Sequence, residues 1–230
     1  MRARAGGTVG LTAYASDMAR VKICGVTRPE DAELCAELGA WAVGLNFVEQ
    51  SPRFVDRAVA VELAAVLKRR CEVVGVFVNP TLAEVASAVE DLDLTMTQLH
   101  GDEGPSFCAE VARKTGAKVI KAFSVRSAAE IMAAEAFRCD YHLFDSGSGE
   151  ARGGSGVSFD WTVLGKRDST VPMILAGGIG PDNAARAIEV THPYALDVAS
   201  GVEASPGVKD PGRLRSLFAA VGSGSEAASA

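Results

Sequence analysis

The chain has 230 residues, 48% of them hydrophobic and 23% charged, with a net charge of −6. That is the composition of an ordinary globular domain with a core of its own, and it needs no metal or disulfide staple. The acidic balance excludes a broad nucleic-acid surface, and no apolar run reaches the roughly 18 residues of a membrane span.

Residues 1–19 contain Arg2 and Arg4 among small residues and lack the apolar centre of a secretory signal. They read as a disordered N-terminal extension, and residues 222–230 read as a flexible tail. Five cysteines, at 24, 35, 71, 108 and 139, show no CxxC and no Cys/His spacing suited to zinc. A reducing, cytoplasmic setting without a metal is the expectation.

Short β-branched runs begin near Val21, Ala42, Val73, Met96, Lys118, Tyr141, Pro172 and Ala195, at spacings of 21, 31, 23, 22, 23, 31 and 23 residues. Each spacing fits one strand, one helix and two short loops. Helical periodicity lies between them at 29–38, 59–67, 82–89, 181–188 and 214–221, with Pro181 placed in the first turn of its helix. A sixth helical segment, near Phe159 to Leu164, is weak. Strict alternation predicts parallel strands with right-handed crossovers, and eight units predict a single closed (β/α)8 TIM barrel over residues 20–221. The two long spacings put extra loop after the second and sixth strands.

Alternate residues of a barrel strand face inward, so parity selects candidates. Lys22 and Cys24 share a face on the first strand. Turned inward, Cys24 reaches the mouth with Lys22 one layer below, and a cation there favours the thiolate. Read alone, Cys24 is more simply a small apolar strand residue, and the strand-end position before Gly25 does not by itself overturn that. On the sixth strand Asp145 shares parity with Tyr141 and Leu143. A carboxylate in a partly dry mouth holds its proton and serves as a general acid, although a loop-bonding Asp fits the same position. Arg53, on the long loop after the second strand, suits bidentate capture of a carboxylate, or is a solvated loop arginine.

Gly177 and Gly178 after the seventh strand, Ser200 and Gly201 after the eighth, and Gly154 in the loop after the sixth are candidate phosphate donors through their backbone N–H groups. Gln98 and His100 on the fourth strand, and Asp197 on the eighth, either support the site or are buried polar groups bonded to neighbouring strands. His142 and His192 carry no constellation, and Trp41 and Trp161 read as packing residues.

These stations together resemble the phosphoribosylanthranilate isomerase family. The likeness runs through Val21-Lys22-Ile23-Cys24-Gly25-Val26-Thr27, then Gly44-Leu45-Asn46-Phe47 with Ser51-Pro52-Arg53. It continues through Val74 to Asn79, Gln98-Leu99-His100-Gly101 and Leu143-Phe144-Asp145-Ser146. Gly153 to Gly156, Ala176-Gly177-Gly178, Asp197 to Glu203 and Pro206 to Asp210 complete it, in order across nearly the whole barrel. Ala199 departs from the pattern where a second serine is common.

The resemblance implies an Amadori rearrangement in tryptophan biosynthesis, without cofactor or metal. N-(5-phosphoribosyl)anthranilate becomes 1-(2-carboxyphenylamino)-1-deoxyribulose 5-phosphate. It implies Asp145 as general acid, Cys24 as general base, Arg53 on the anthranilate carboxylate, and Gly154, Gly177, Gly178, Ser200 and Gly201 on the phosphate. The expected partner is this small phosphorylated substrate, in a monomer or homodimer that the sequence does not distinguish. Two alternatives stand beside this reading: a histidine-pathway or bifunctional sugar-phosphate isomerase, whose first strand carries an aspartate base, and a non-catalytic phosphate-binding barrel.

Overall fold

The computed structural model describes residues 19–125, 128–145, 161, 164, 167 and 169–223. Most of the predicted N-terminal extension, most of the tail, Gly154, and the sixth helical segment apart from Trp161 and Leu164 lie outside the described residues.

Eight strands close into one parallel barrel. They are β1 (Arg20–Cys24), β2 (Ala42–Asn46), β3 (Glu72–Phe77), β4 (Met96–Leu99), β5 (Lys118–Ser124), β6 (Tyr141–Asp145), β7 (Met173–Ala176) and β8 (Ala195–Val198). Each begins within one residue of its predicted start, because turn residues and β-branched runs punctuate the chain clearly. Between them run α1 (Pro29–Glu37), α2 (Arg57–Leu67), α3 (Leu82–Leu92), α4 (Pro105–Thr115), α5 (Ala128–Ala133) and α6 (Ala184–Thr191). The last helix is α7 (Pro211–Ser223). No helix among the described residues is long and apolar enough to cross a membrane.

Local chemistry explains these boundaries. Pro29 and Pro105 open α1 and α4, where a missing N–H costs nothing. Thr81 and Glu84 form a reciprocal capping box at α3, satisfying two backbone donors. One boundary differs from expectation. Pro181 lies in a turn, and α6 starts three residues later at Ala184. Asn183 explains the shift, since its side chain accepts the Gly180 N–H at 2.9 Å and donates to the Gly178 carbonyl at 2.9 Å. Together with the Ala184 N–H donating to the Gly180 carbonyl at 3.0 Å, these bonds brace the turn from which the helix starts.

Two apolar layers fill the molecule. Ala42, Val74, Met96, Ile120, Leu143, Ile174 and Ala195 pack inside the barrel, floored by Trp41, Tyr141 and Tyr194. Residues of opposite parity, such as Ile23, Val43, Leu99 and Phe144, pack against the helices. The inward parity passes through Lys22, Gly44, Gln98, Asp145 and Asp197 toward the C-terminal mouth.

Beyond β8 the chain makes a short 3-10 turn at Ser200–Val202 and then an antiparallel hairpin of β9 (Glu203–Ser205) and β10 (Val208–Lys209). This hairpin docks on the mouth. Thr27 donates to the Gly207 carbonyl at 2.6 Å, tying it to the loop after β1.

Candidate active site

A cavity of about 310 Å³ opens at the C-terminal end of the barrel. Cys24, Arg53, Gln98, His100, Asp145 and Asp197 line it together with Gly177, Gly178 and Ser200. Larger hollows lie between helices and at the opposite end of the barrel, but none of these brings a cysteine, a histidine, carboxylates and an arginine together at the C-terminal strand ends. The chemistry, not the volume, marks the mouth.

Cys24 ends β1 because Gly25 follows it at φ +69°, a left-handed conformation that stops the strand. Opposite it stands Gly44, where a Cβ would approach Cys24 Sγ to 2.9 Å and Lys22 Nζ to 3.3 Å. Gly44 therefore makes the room in which thiol and ammonium sit side by side. Lys22 is fully buried, and its Nζ donates to Asp197 Oδ1 at 2.8 Å, from the register-matched position on β8.

These neighbours act on the thiol in opposite directions. Burial pushes Cys24 up, Lys22 pulls it down, and Asp197 pushes it up again; the net pKa lies above the ordinary thiol value. Lys22 thus acts in the expected direction, favouring the thiolate, but it does not outweigh burial. Its ammonium is already shared with Asp197, and burial wins. Burial alone would lower Lys22 itself, but Asp197 and Cys24 outweigh it and hold its pKa up.

Asp145 ends β6 and is partly exposed at the mouth, with His100 Nε2 3.7 Å from its Oδ2. His100 Nδ1 lies 3.0 Å from Gln98 Nε2. Read with the amide donating, this contact puts the histidine proton on Nε2, toward Asp145. Burial lowers the His100 pKa, outweighing Asp145 and Asp197, so the ring is neutral near pH 7. Gln98 Oε1 is buried and has no hydrogen-bond partner among the described residues. Gln98, His100 and Asp145 thus converge, as do Lys22 and Asp197.

Arg53 is carried by a shaped loop. Asn46 accepts from Val48 N–H at 2.9 Å and donates to Ser51, whose Oγ accepts the Arg53 N–H at 3.1 Å. A Cβ at Gly25 would meet Arg53 Cδ at 2.4 Å, so glycine there lets the arginine cross the mouth. The guanidinium is not simply solvated. It is bidentate to Glu203, with Nε and Nη2 at 2.8 and 2.7 Å.

The glycines divide. Gly177 and Gly178 have φ +90° and +64° and line the cavity beside Ser200, which opens the short 3-10 turn. Gly201 faces the other way: a Cβ there would stand 2.0 Å from the Ile179 carbonyl oxygen, so it allows the loops after β7 and β8 to touch. Glu203 and Lys209 were not singled out from the sequence as site residues. A buried lysine carries no periodic signal, and the only hint was their place in the matched stations.

A family model for N-(5′-phosphoribosyl)anthranilate isomerase matches residues 21–220. The chain belongs to the phosphoribosylanthranilate isomerase family. It is 43% identical over 201 residues to the N-(5′-phosphoribosyl)anthranilate isomerase of Geobacter metallireducens, covering 87% of this chain and 98% of the relative. The phosphoribosyl anthranilate isomerase crystal structure from Thermotoga maritima superposes with a TM-score of 0.81 at 36% identity, over 89% of this chain and 99% of the other. A further isomerase of the family, solved with reduced 1-(o-carboxyphenylamino)-1-deoxyribulose 5-phosphate, superposes with a TM-score of 0.79 at 34% identity, over 89% and 99%. A phosphoribosylanthranilate isomerase is an intramolecular aldose–ketose isomerase of tryptophan biosynthesis, and membership fixes the reaction class to which this mouth must answer.

Proposed function

We propose that the mouth cavity isomerises N-(5′-phosphoribosyl)anthranilate in the cytoplasm, with Asp145 as general acid and Cys24 as general base. The observation that carries the assignment is the convergence of Cys24, Asp145 and Arg53 on one cavity from three separate strand ends or loops.

The reaction needs a proton given and a proton taken at different atoms. Asp145 protonates the furanose ring oxygen as the C1′–O bond breaks, leaving a C1′–N iminium and an Asp145 carboxylate. The iminium acidifies C2′. Cys24 thiolate removes the C2′ proton, the electron pair of that C–H bond forms C1′=C2′, and the iminium nitrogen is neutralised. The resulting enol tautomerises to the ketone. Proton exchange between Cys24, Asp145 and water then restores both groups, since both stand at an open mouth.

Burial favours the protonated thiol at Cys24, so the thiolate must be reached during the cycle. Two cations assist. Lys22 lies beside the sulfur, and the iminium brings a positive charge into the same mouth just when the base is needed. Gln98 Oε1, a buried acceptor, receives a ribose hydroxyl, and neutral His100 donates toward Asp145 once that carboxylate has lost its proton. Backbone N–H groups at Gly177, Gly178, Ser200 and Gly201 hold the phosphate, and Gly154 is assigned to it from the sequence pattern alone. Arg53 uses the Nε–Nη2 edge for Glu203, which leaves the Nη1–Nη2 edge to take the anthranilate carboxylate.

Loss of the fluorescence of the anthranilate adduct follows turnover directly. The reading expects rapid turnover of phosphoribosylanthranilate and little turnover of the histidine-pathway aminoaldose. Comparable rates on the two substrates would replace it with the bifunctional alternative.

A further inference from the structure

We infer that Glu203 and Lys209 form a buried relay that aims Arg53 and keeps it positively charged toward an incoming carboxylate. The inference rests on Arg53 as the carboxylate-binding residue and names what makes it one.

Arg53 stands on a long loop and, left to itself, would sample many rotamers. Glu203 removes that freedom by a two-point contact at 2.8 and 2.7 Å. A planar fork gripped along one edge presents its other edge in a fixed direction. Yet a carboxylate so close would cancel the charge that a substrate carboxylate must feel. Lys209 answers this. Its Nζ is buried and lies 2.9 Å from Glu203 Oε1, so two cations share one anion and the unit keeps a net positive charge. Glu203 is accordingly held ionised: burial would raise its pKa, but Arg53 and Lys209 together draw it below the ordinary carboxylate value.

The same ammonium reaches further. It donates to the Cys24 carbonyl at 2.7 Å and lies 3.3 Å from the Ala199 carbonyl. Glu203 also accepts the Gly207 N–H at 3.2 Å, closing the β9–β10 turn on itself. One buried pair therefore fixes the backbone of the base-bearing residue, the strand end before the phosphate loop, and the arginine. Positioning is the role; neither side chain lines the mouth cavity.

The test uses two stable probes: the reduced product, and the same ribitol phosphate bearing phenylamino without the carboxyl group. Their Kd ratio, measured calorimetrically on the intact enzyme, isolates carboxylate recognition. In wild type the carboxylate probe binds tighter. Glu203→Gln is expected to shrink the ratio about tenfold by weakening the carboxylate probe alone, and to change nothing further when Arg53→Ala is already present. Glu203→Asp, which keeps the charge but retracts it by one methylene, is expected to shrink the ratio too, and carries the test if the glutamine variant does not fold. Equal weakening of both probes, or an unchanged loss in the Arg53→Ala background, overturns the relay while leaving Arg53 in place. A wild-type ratio near one, or one unmoved by Arg53→Ala, overturns the underlying assignment of Arg53 instead.

Discussion

Lys22 Nζ and Asp197 Oδ1 stand 2.8 Å apart inside the barrel wall, on register-matched residues of the first and last strands. The pair closes the barrel seam beneath Cys24, so it serves both stability and the thiol. Removing one partner leaves a buried, uncompensated charge, which costs on the order of 3–5 kcal/mol. Lys22→Met is expected to lose stability of that order in urea unfolding at pH 7. Adding Asp197→Leu should recover part of the loss, because the stranded carboxylate is gone. A single Lys22→Met variant as stable as wild type would show that the pair contributes little.

The same geometry sets the reactivity of the thiol. Cys24 lies above its ordinary pKa because burial and Asp197 outweigh Lys22. The protonated form is therefore favoured at pH 7, and the thiolate fraction grows as pH rises through the raised value. Alkylation of Cys24 by iodoacetamide, followed at its own peptide by mass spectrometry, should keep accelerating beyond about pH 8.5, the ordinary thiol midpoint. Lys22→Met removes the one lowering neighbour on its strand and should slow alkylation at pH 8. A rate already level below pH 7 would contradict the sign.

Gly44 gives a sharper steric prediction. An added methyl would sit 2.9 Å from Cys24 Sγ and 3.3 Å from the Cys24 Cα and Lys22 Nζ. The sulfur must move, since the strand backbone is fixed by pairing on both sides. Gly44→Ala is expected to reduce kcat roughly 10- to 100-fold through misplacement of the base. Overpacking should cost no more than about 1–3 kcal/mol of stability. Wild-type kcat in a folded variant would mean the thiol position is not critical.

Much of this site was legible in the sequence, for a definite reason. Strand starts follow turn chemistry and β-branched runs, and parity then pairs Lys22 with Cys24 and Asp145 with Tyr141 and Leu143; that these faces and that of Asp197 all turn inward is seen only in the barrel. The pairings across the barrel were not legible. Whether Lys22 serves Cys24 or Asp197 depends on strand register between residues 175 apart in sequence. The burial of Glu203 and Lys209 likewise depends on a hairpin folding back over the loops after β1 and β2, which no local periodicity encodes. The start of α6 shows the opposite limit: Pro181 announced a helix whose regular part begins only at Ala184, after a turn braced by Asn183.

Cys24 and Asp145 remain the centre of the account, because each is assigned one proton that the reaction cannot do without. The most direct test is kcat for Cys24→Ser and Asp145→Asn, followed by loss of adduct fluorescence, with circular dichroism and thermal unfolding recorded on the same samples. Removing a group that acts on a proton in the transition state typically costs about 10²- to 10⁴-fold. Both variants are expected to lose at least about that much in kcat, with the barrel folded and the product analogue still bound. A near-wild-type kcat in either folded variant would contradict the assignment of acid and base.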